Sequence, residues 1–408
     1  MQIVVFAHPA WFGSASQQHF AHSLCQGLRL RGHAVQLRQP QSRLRAMLPR
    51  RASPPLLKWA GYVDQHLLFP LALRQQRARD PEGTLYVFSD QALGPWVAAF
   101  AALPHVVHCH DLLALASALG QGPGPRLGWT GQLYQRWIRR GFARARHFIS
   151  VSAQTRDELL RLGQVRPQIC AVVHNGLNAP FRRLAPDLAW AALQEAGLAK
   201  PALHGFLLHV GNGLWYKNTA GVLAIYARYC ADSAAAGNTP LPLWMRCPAP
   251  DTALQAAINA LPPTGHVRFL PALTPQAMAA LYSVAELLLF PSHAEGFGWP
   301  IAEAMACGCA VVTTGAPPMT ELAGRHALYL PVCPPGSPAD AQAEWAAQGA
   351  GQVQGLLARG LQQRAADAAT LVDWARRFEP MRAIDGYLDI YRQILNPGAA
   401  MAPAAQTS

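Results

Sequence analysis

The side chains with the clearest chemical potential fall in one run, Phe290-Pro-Ser-His-Ala-Glu-Gly-Phe-Gly-Trp-Pro-Ile-Ala-Glu-Ala-Met-Ala-Cys-Gly308. An apolar strand leads through a glycine loop into a short helix, with Pro300 suited to the first helical position and Gly308 to the C-terminal cap. Gly296 and Gly298, on either side of Phe297, let a ligand approach the main chain closely, and the free amides at the helix start favour a diphosphate or a sugar hydroxyl. Two carboxylates bracket this loop. Glu295 precedes it and Glu303 lies in the first helical turn or just beyond, so one can accept hydrogen bonds from a ribose diol while the other faces a transferred sugar.

A second strand-to-loop junction, His209-Val-Gly-Asn-Gly-Leu-Trp-Tyr-Lys-Asn218, places Lys217 after another pair of glycines. In the first half of the chain, Gly13 and Ser14 follow the first apolar strand, and His110-Asp111 ends the strand containing Val106 and Val107. His105, His108 and His110 with Asp111 invite a metal reading. Side chains alternate along a strand, however, so only His108 and His110 share a face. No Cys or carboxylate partner stands at convincing spacing elsewhere, so no metal is expected and His108 is read as packing within the sheet.

The elements that must position these groups are short apolar strands alternating with helices, the pattern of parallel sheets covered on both faces. Strands are predicted near residues 2–7, 34–37, 85–88, 106–109, 147–151 and 170–173, and a second series near 206–210, 242–245, 267–270, 286–290 and 310–314. Residues 178–204, with Pro180, Pro186 and Pro201 around one helix, read as the connection between domains. Residues 332–352 read as a long loop, Tyr387 to Leu395 as the last helix, and the residues after Pro397 as a disordered tail.

A chain of 408 residues that is 51% hydrophobic suits about two domains rather than one core. The net charge of +12 is uneven: residues 1–200 hold 23 Lys and Arg against 9 Asp and Glu (+14), and residues 201–408 hold 11 against 13 (−2). Between residues 29 and 79 there are 11 basic side chains and one acid, Asp64. That field attracts polyanions. No nucleic-acid recognition motif accompanies it, so nucleic acid is not an expected partner. Leu56-Leu-Lys-Trp-Ala-Gly-Tyr62 and His66-Leu-Leu-Phe-Pro70 interleave aromatic and aliphatic residues with cations, which allows either an anionic membrane surface or an ordinary solvated face. The eight cysteines lack framework spacing and read as free thiols. No signal peptide and no apolar run of spanning length is seen, so a cytoplasmic protein is expected, at most peripheral on the cytoplasmic membrane.

The Glu295 to Glu303 segment, with Gly-Phe-Gly-x-Pro between its two glutamates and the Ala-Cys-Gly-Cys-Ala-Val-Val strand after it, resembles retaining glycosyltransferases of the GT-B fold. The family is the large one marked by two glutamates separated by seven residues (family 4 type, group 1). The resemblance covers nearly the whole chain to about Leu395 and is most specific over residues 206–324. It implies an α/β protein of two Rossmann-like domains with parallel sheets facing across a cleft. The expected divisions are an acceptor domain at 1–180, a nucleotide-sugar donor domain at 181–380, a C-terminal helix at 381–396 and a disordered tail at 397–408. It assigns catalytic roles to His110, Glu295 and Lys217, and donor contacts to Gly13, Asn212, Lys217, Gly296, Phe297, Gly298 and Glu303. Asn212 departs from the family, which usually has arginine there; the single cation of Lys217 remains adequate for a diphosphate.

The implied activity is transfer of a hexose from a nucleotide-diphosphate sugar to a glycan or lipid-linked acceptor, without a cofactor or obligatory metal, in cell-surface polysaccharide or glycolipid synthesis. A non-catalytic sugar-nucleotide-binding protein and a nucleotide-sugar epimerase or phosphorylase on the same two-domain plan are the alternatives. A nicotinamide dehydrogenase is disfavoured because neither glycine loop reads GxGxxG.

Overall fold

The computed structural model describes residues 1–11, 15–49, 51–122, 124–201 and 205–397. Gly13 and Ser14 lie outside the described residues, as does the tail from residue 398. The chain divides into two compact units, one of Met1–Gln121, Arg126–Asn178 and the segment from Pro380, the other of Gly122–Pro125 and Ala179–Glu379.

The first unit is built on six parallel strands: β1 (Gln2–Phe6), β2 (Ala34–Arg38), β3 (Leu85–Phe88), β4 (His105–Cys109), β5 (His147–Ser150) and β6 (Ile169–Val172), in the order β2-β1-β3-β4-β5-β6. The β-branched and aromatic runs Ile3-Val4-Val5-Phe6 and Leu85 to Phe88 are almost wholly buried, as strands covered on both faces must be. On one face Val4, Phe6 and Phe88 pack with Trp96, Phe100, Ile138 and Phe142. On the other, Ile3 and Val5 meet Leu24 and Leu28 of the helix Ala15–Leu30 and Ile384, Tyr387 and Tyr391 of the last helix, Pro380–Leu395. That last helix therefore belongs to the first unit although it ends the chain. A Cβ on Gly27 would stand 2.5 Å from the Ile384 side chain, so glycine is what admits the close approach.

The second unit has the strands β7 (Leu207–Val210), β8 (Leu243–Arg246), β9 (Val267–Phe269), β10 (Leu287–Phe290), β11 (Ala310–Thr314) and β12 (Leu328–Leu330), again parallel, in the order β12-β11-β10-β7-β8-β9. Strand β12 is not among the sequence expectations, being only three residues long, and it is only partly buried.

One segment corrects the sequence reading. Much of the supposed loop 332–352 is helix, running Ala339–Leu357. Its prolines, Pro334, Pro335 and Pro338, all precede the first turn and so mark an entry rather than a break. Gly349 lies within it because a Cβ there would meet Ile225 at 2.7 Å; the glycine lets this helix lie close against Thr219–Ala235. The last helix runs from Pro380 to Leu395, starting about two turns before Tyr387 and one residue before the division expected at 381. Among the described residues no helix is long and apolar enough to cross a membrane, and all eight cysteines are free thiols.

Candidate active site

Two strand ends of the second unit, those of β10 and β7, converge on one set of polar side chains. After β10, the chain Pro291–Gly298 turns into the helix Trp299–Ala306. Gly298 makes that turn at φ 103° and ψ 48°, a left-handed conformation that disfavours any side chain. By helix geometry the amides of Gly298 and Trp299 have no acceptor within the helix, and Pro300 at the second helical position has no amide to orphan. Phe297 anchors the loop, 4% exposed, with its ring edge-on to Phe378 and Trp299.

The loop after β7 lies beside it. Asn218, in left-handed conformation, caps the helix Thr219–Ala235 by accepting from the Gly221 amide, and donates through Nδ2 to the Pro291 carbonyl at 3.0 Å. The His293 amide donates to the Tyr216 carbonyl at 2.8 Å. These bonds tie the two loops together and set Lys217 against Glu295: Nζ donates to Oε1 at 2.7 Å, with the side chains 10% and 7% exposed. The ammonium also stands 4.8 Å from the Phe290 ring centroid and 5.4 Å from that of Tyr216, faces that favour a cation. His209, fully buried, donates from Nδ1 to the Leu289 carbonyl, and burial with the charge of Lys217 brings its imidazole down to about 4.

Glu303 projects from the helix and accepts at Oε2 from the Tyr282 hydroxyl at 2.9 Å. Burial raises its carboxyl to about 7, against the opposing hydrogen bond of Tyr282 and charge of Lys217. The site thus holds one carboxylate neutralised by a lysine and a second that changes charge near neutral pH. Asn212, by contrast, is exposed and turned to local work: its Oδ1 accepts from the Leu214 amide and its Nδ2 donates to the Tyr216 hydroxyl at 3.3 Å.

His110 belongs to the first unit, at the carboxyl end of β4. Its Nε2 donates to the Ser89 carbonyl at 2.9 Å, since a carbonyl can only accept, which leaves Nδ1 as the acceptor nitrogen. Burial lowers its proton affinity, Asp90 partly opposing, so the neutral form prevails at pH 7. The Phe20 ring lies edge-on at 4.5 Å. His108 shares that face, its ring 5.3 Å from Phe20, but its Nε2 is engaged with the Tyr391 hydroxyl at 2.8 Å, while His105 meets the Leu103 carbonyl. No group of three or more potential metal ligands assembles among the described residues.

The strand ends also hold a pair that the sequence reading missed. His8 Nε2 and Asp90 Oδ2 are 3.2 Å apart, both nearly buried. Burial alone would raise the Asp90 carboxyl, but His8, the charge of His110 and the Ala92 amide together hold it below the ordinary range. A signal existed in the register. Phe6 pairs with Phe88, so His8 and Asp90 are equivalent positions two residues past the sheet, where ligands of open α/β sheets gather. Tyr282 and the cap residue Asn218 were missed too; the first stands outside every motif, while the second has the ordinary N-cap signal of Asn before an apolar helix.

The chain matches the families described as Glycosyltransferase Family 4, over residues 17–179, and Glycosyl transferases group 1, over residues 207–347. It is 27% identical to O-antigen chain mannosyltransferase B of Escherichia coli over 184 residues, 45% of this chain and 47% of that protein. It is 33% identical to a D-inositol 3-phosphate glycosyltransferase of Saccharomonospora viridis over 130 residues, 31% of this chain and 27% of that protein. The chain thus spans less than half the length of these curated relatives. Among solved structures, sucrose-phosphate synthase from Thermosynechococcus elongatus superposes with a TM-score of 0.67 at 19% identity over 98% of this chain and 100% of that one. Trehalose 6-phosphate synthase from Burkholderia multivorans superposes at 0.62 and 12% identity over 98% and 99%. At such identities the likeness is one of fold. Two six-stranded parallel sheets flanked by helices, with a family match on each, lead to one assignment: the chain belongs to the family 4, group 1 glycosyltransferases and has the GT-B fold.

Proposed function

We propose that the protein is a retaining glycosyltransferase that moves a hexose from a nucleotide-diphosphate sugar to a glycan or lipid-linked acceptor in the synthesis of a cell-surface polysaccharide or glycolipid. The observation that carries the reading is the buried Lys217–Glu295 pair beside the Gly296–Gly298 turn. A donor diphosphate reaching this loop competes with Glu295 for the ammonium. The exchange moves the cation onto the departing phosphate, where negative charge grows, and frees a carboxylate to orient the sugar. The helix amides add to the same stabilisation. Glu303, once ionised, accepts from a ribose diol.

In the transfer, the bond from the anomeric carbon to the phosphate oxygen breaks, the acceptor oxygen bonds to that carbon on the same face, and the acceptor proton passes to the leaving diphosphate. No protein nucleophile enters. The part of His110 beside the sugar, and that of Gly13 at the donor phosphate, rest on family resemblance.

Mannose is named for a relative, so mannosyl donors head the panel. The test is thermal stabilisation by UDP, GDP, ADP and their sugars, repeated on Lys217→Ala and Glu303→Ala, because ligand binding to the native state raises stability by mass action. The expected result is a shift with one base, lost in both variants, followed by a product of unchanged anomeric configuration by NMR. The absence of a shift with every nucleotide at millimolar concentration, or an inverted product, overturns the reading.

A further inference from the structure

The first unit carries a surface that the donor chemistry does not use. From Pro54 to Arg77 the chain is one continuous helical run, α-helical to Val63, widened to a π-helical turn over Asp64–Leu68 and α-helical again from Phe69. Its inner face holds Ala60, Gly61, Asp64, Gln65, Phe69 and Leu73. Its outer face shows Leu56, Trp59, Leu67 and Leu71 with Val63 half-buried between them, at the spacing of a single helical stripe. Beside it lies the helix Trp129–Phe142. The two join where His66 meets the Trp137 ring at 4.7 Å and the Tyr134 hydroxyl at 3.3 Å. The outer face of this second helix shows Trp129, Leu133 and Trp137 at intervals of four.

Large apolar side chains are rarely left this exposed in contiguous rows. Trp59, Trp129 and Trp137 are 59%, 73% and 43% exposed, and these are the three tryptophans most open to solvent among the described residues.

The charge around these rows has one sign. From Gln39 to Arg79 and from Arg126 to Arg146 the sequence contains a single carboxylate, Asp64. Asp64 is 1% exposed, its oxygens accepting from the amides of Arg43, Leu44 and Arg45. It is spent on the fold, and the surface is left to Lys58, Arg74, Arg136 and Arg140, all exposed.

We infer that these two helical faces form a docking surface for an anionic lipid bilayer. Tryptophan and leucine enter the headgroup layer while lysine and arginine, reaching outward along their aliphatic stems, meet lipid phosphates. A second copy of the chain is a poor occupant, since a two-fold contact would set the same cations against one another. The surface shares no residue with the Lys217 site, so its test is independent of the transferase reading.

The test is flotation of the full chain with vesicles of phosphatidylcholine alone and with 30 mol% (about a third) phosphatidylglycerol, at low and high salt. Binding is expected only with the anionic lipid and is expected to fall with salt. Lys58→Glu/Arg136→Glu/Arg140→Glu weakens it roughly a hundredfold, at about fivefold per cation. Trp59→Ser/Trp129→Ser weakens it on the order of tenfold or more, through lost apolar burial. Both variants keep the wild-type melting temperature, because the substituted residues are exposed. No binding to anionic vesicles, equal binding to neutral ones, or variants that bind as wild type overturns the inference. So does self-association of the free protein that the tryptophan variant abolishes, which would make the face a protein contact.

Discussion

Breaking the Lys217–Glu295 pair gives the sharpest test of the site. The two charges are 2.7 Å apart with side chains 10% and 7% exposed, so solvent does little to screen them. Lys217→Met leaves Glu295 buried without a counter-charge, which costs about 3–5 kcal/mol of stability. For a unit of some 200 residues this lowers the melting temperature by about 6–20 °C. Glu295→Gln costs less, since an amide oxygen still accepts from the ammonium and the rings of Phe290 and Tyr216 still face it. Lys217→Met/Glu295→Gln removes both charges and returns to within about 2 kcal/mol of wild type, so the cycle closed by the two single variants shows a coupling of at least about 2 kcal/mol. The assay is urea unfolding followed by circular dichroism, read on the transition that the substitutions move.

Nucleotide diphosphate binding adds a readout that a purely structural pair does not move. If Glu295 competes with the diphosphate for Lys217, Glu295→Gln binds the nucleotide roughly fivefold tighter, a gain of about 1 kcal/mol, while Lys217→Met loses it. Additive single effects below about 1 kcal/mol would mean a screened surface pair. Weaker nucleotide binding by Glu295→Gln would refute the exchange.

Three further outcomes follow from the geometry. Glu303 has its carboxyl raised from 4.5 to about 7 by burial, so the native state holds a proton that the unfolded chain has released. Stability therefore falls as pH rises from about 4.5 to 7, by about 3 kcal/mol, and is level above; Glu303→Gln abolishes that slope in melts across the range. Gly298→Ala places a side chain at φ 103° and lowers stability by about 1–3 kcal/mol, with nucleotide binding weakened in calorimetry because the amides shift. Asp90→Asn removes the charge that supports protonation of His110, so the His110 imidazole titrates at still lower pH by NMR. Because the Asp90 carboxyl is held below its ordinary range, the stability it lends is present at neutral pH and lost on acidification; an unchanged His110 titration in the variant would disprove the coupling.

Much of the fold is legible in the chain because buried parallel strands write themselves as short apolar runs. The eleven expected strands all occur, within a residue or two of their predicted ends. Where reading failed, the information was not local. Strand β12 pairs along β11 from Val312↔Leu328 onward, and a run of three residues is too short to show a strand pattern without that neighbour. The helix Ala339–Leu357 was concealed by glycines, which penalise an isolated helix. Gly349 is favourable here because of Ile225, which is distant in sequence. For the site, the glycine loop and its two glutamates stand in one segment and are read directly. Tyr282 and the His8–Asp90 pair are assembled from separate elements.

The sequence by itself determined the alternating α/β plan, the glycine that must turn at 298, the two carboxylates on either side of it and the basic bias of the first half. Each of these is set by residue type and spacing over a few residues. Only the tertiary structure decided that Glu295 is matched to Lys217 rather than left open, that Glu303 lies in surroundings which hold its proton to near neutral pH, and that Asp64 is buried so the helical faces of Pro54–Arg77 and Trp129–Phe142 show cations alone. Charge state and exposure depend on desolvation and on partners tens of residues away, and those are fixed when the strands take their places in the sheet.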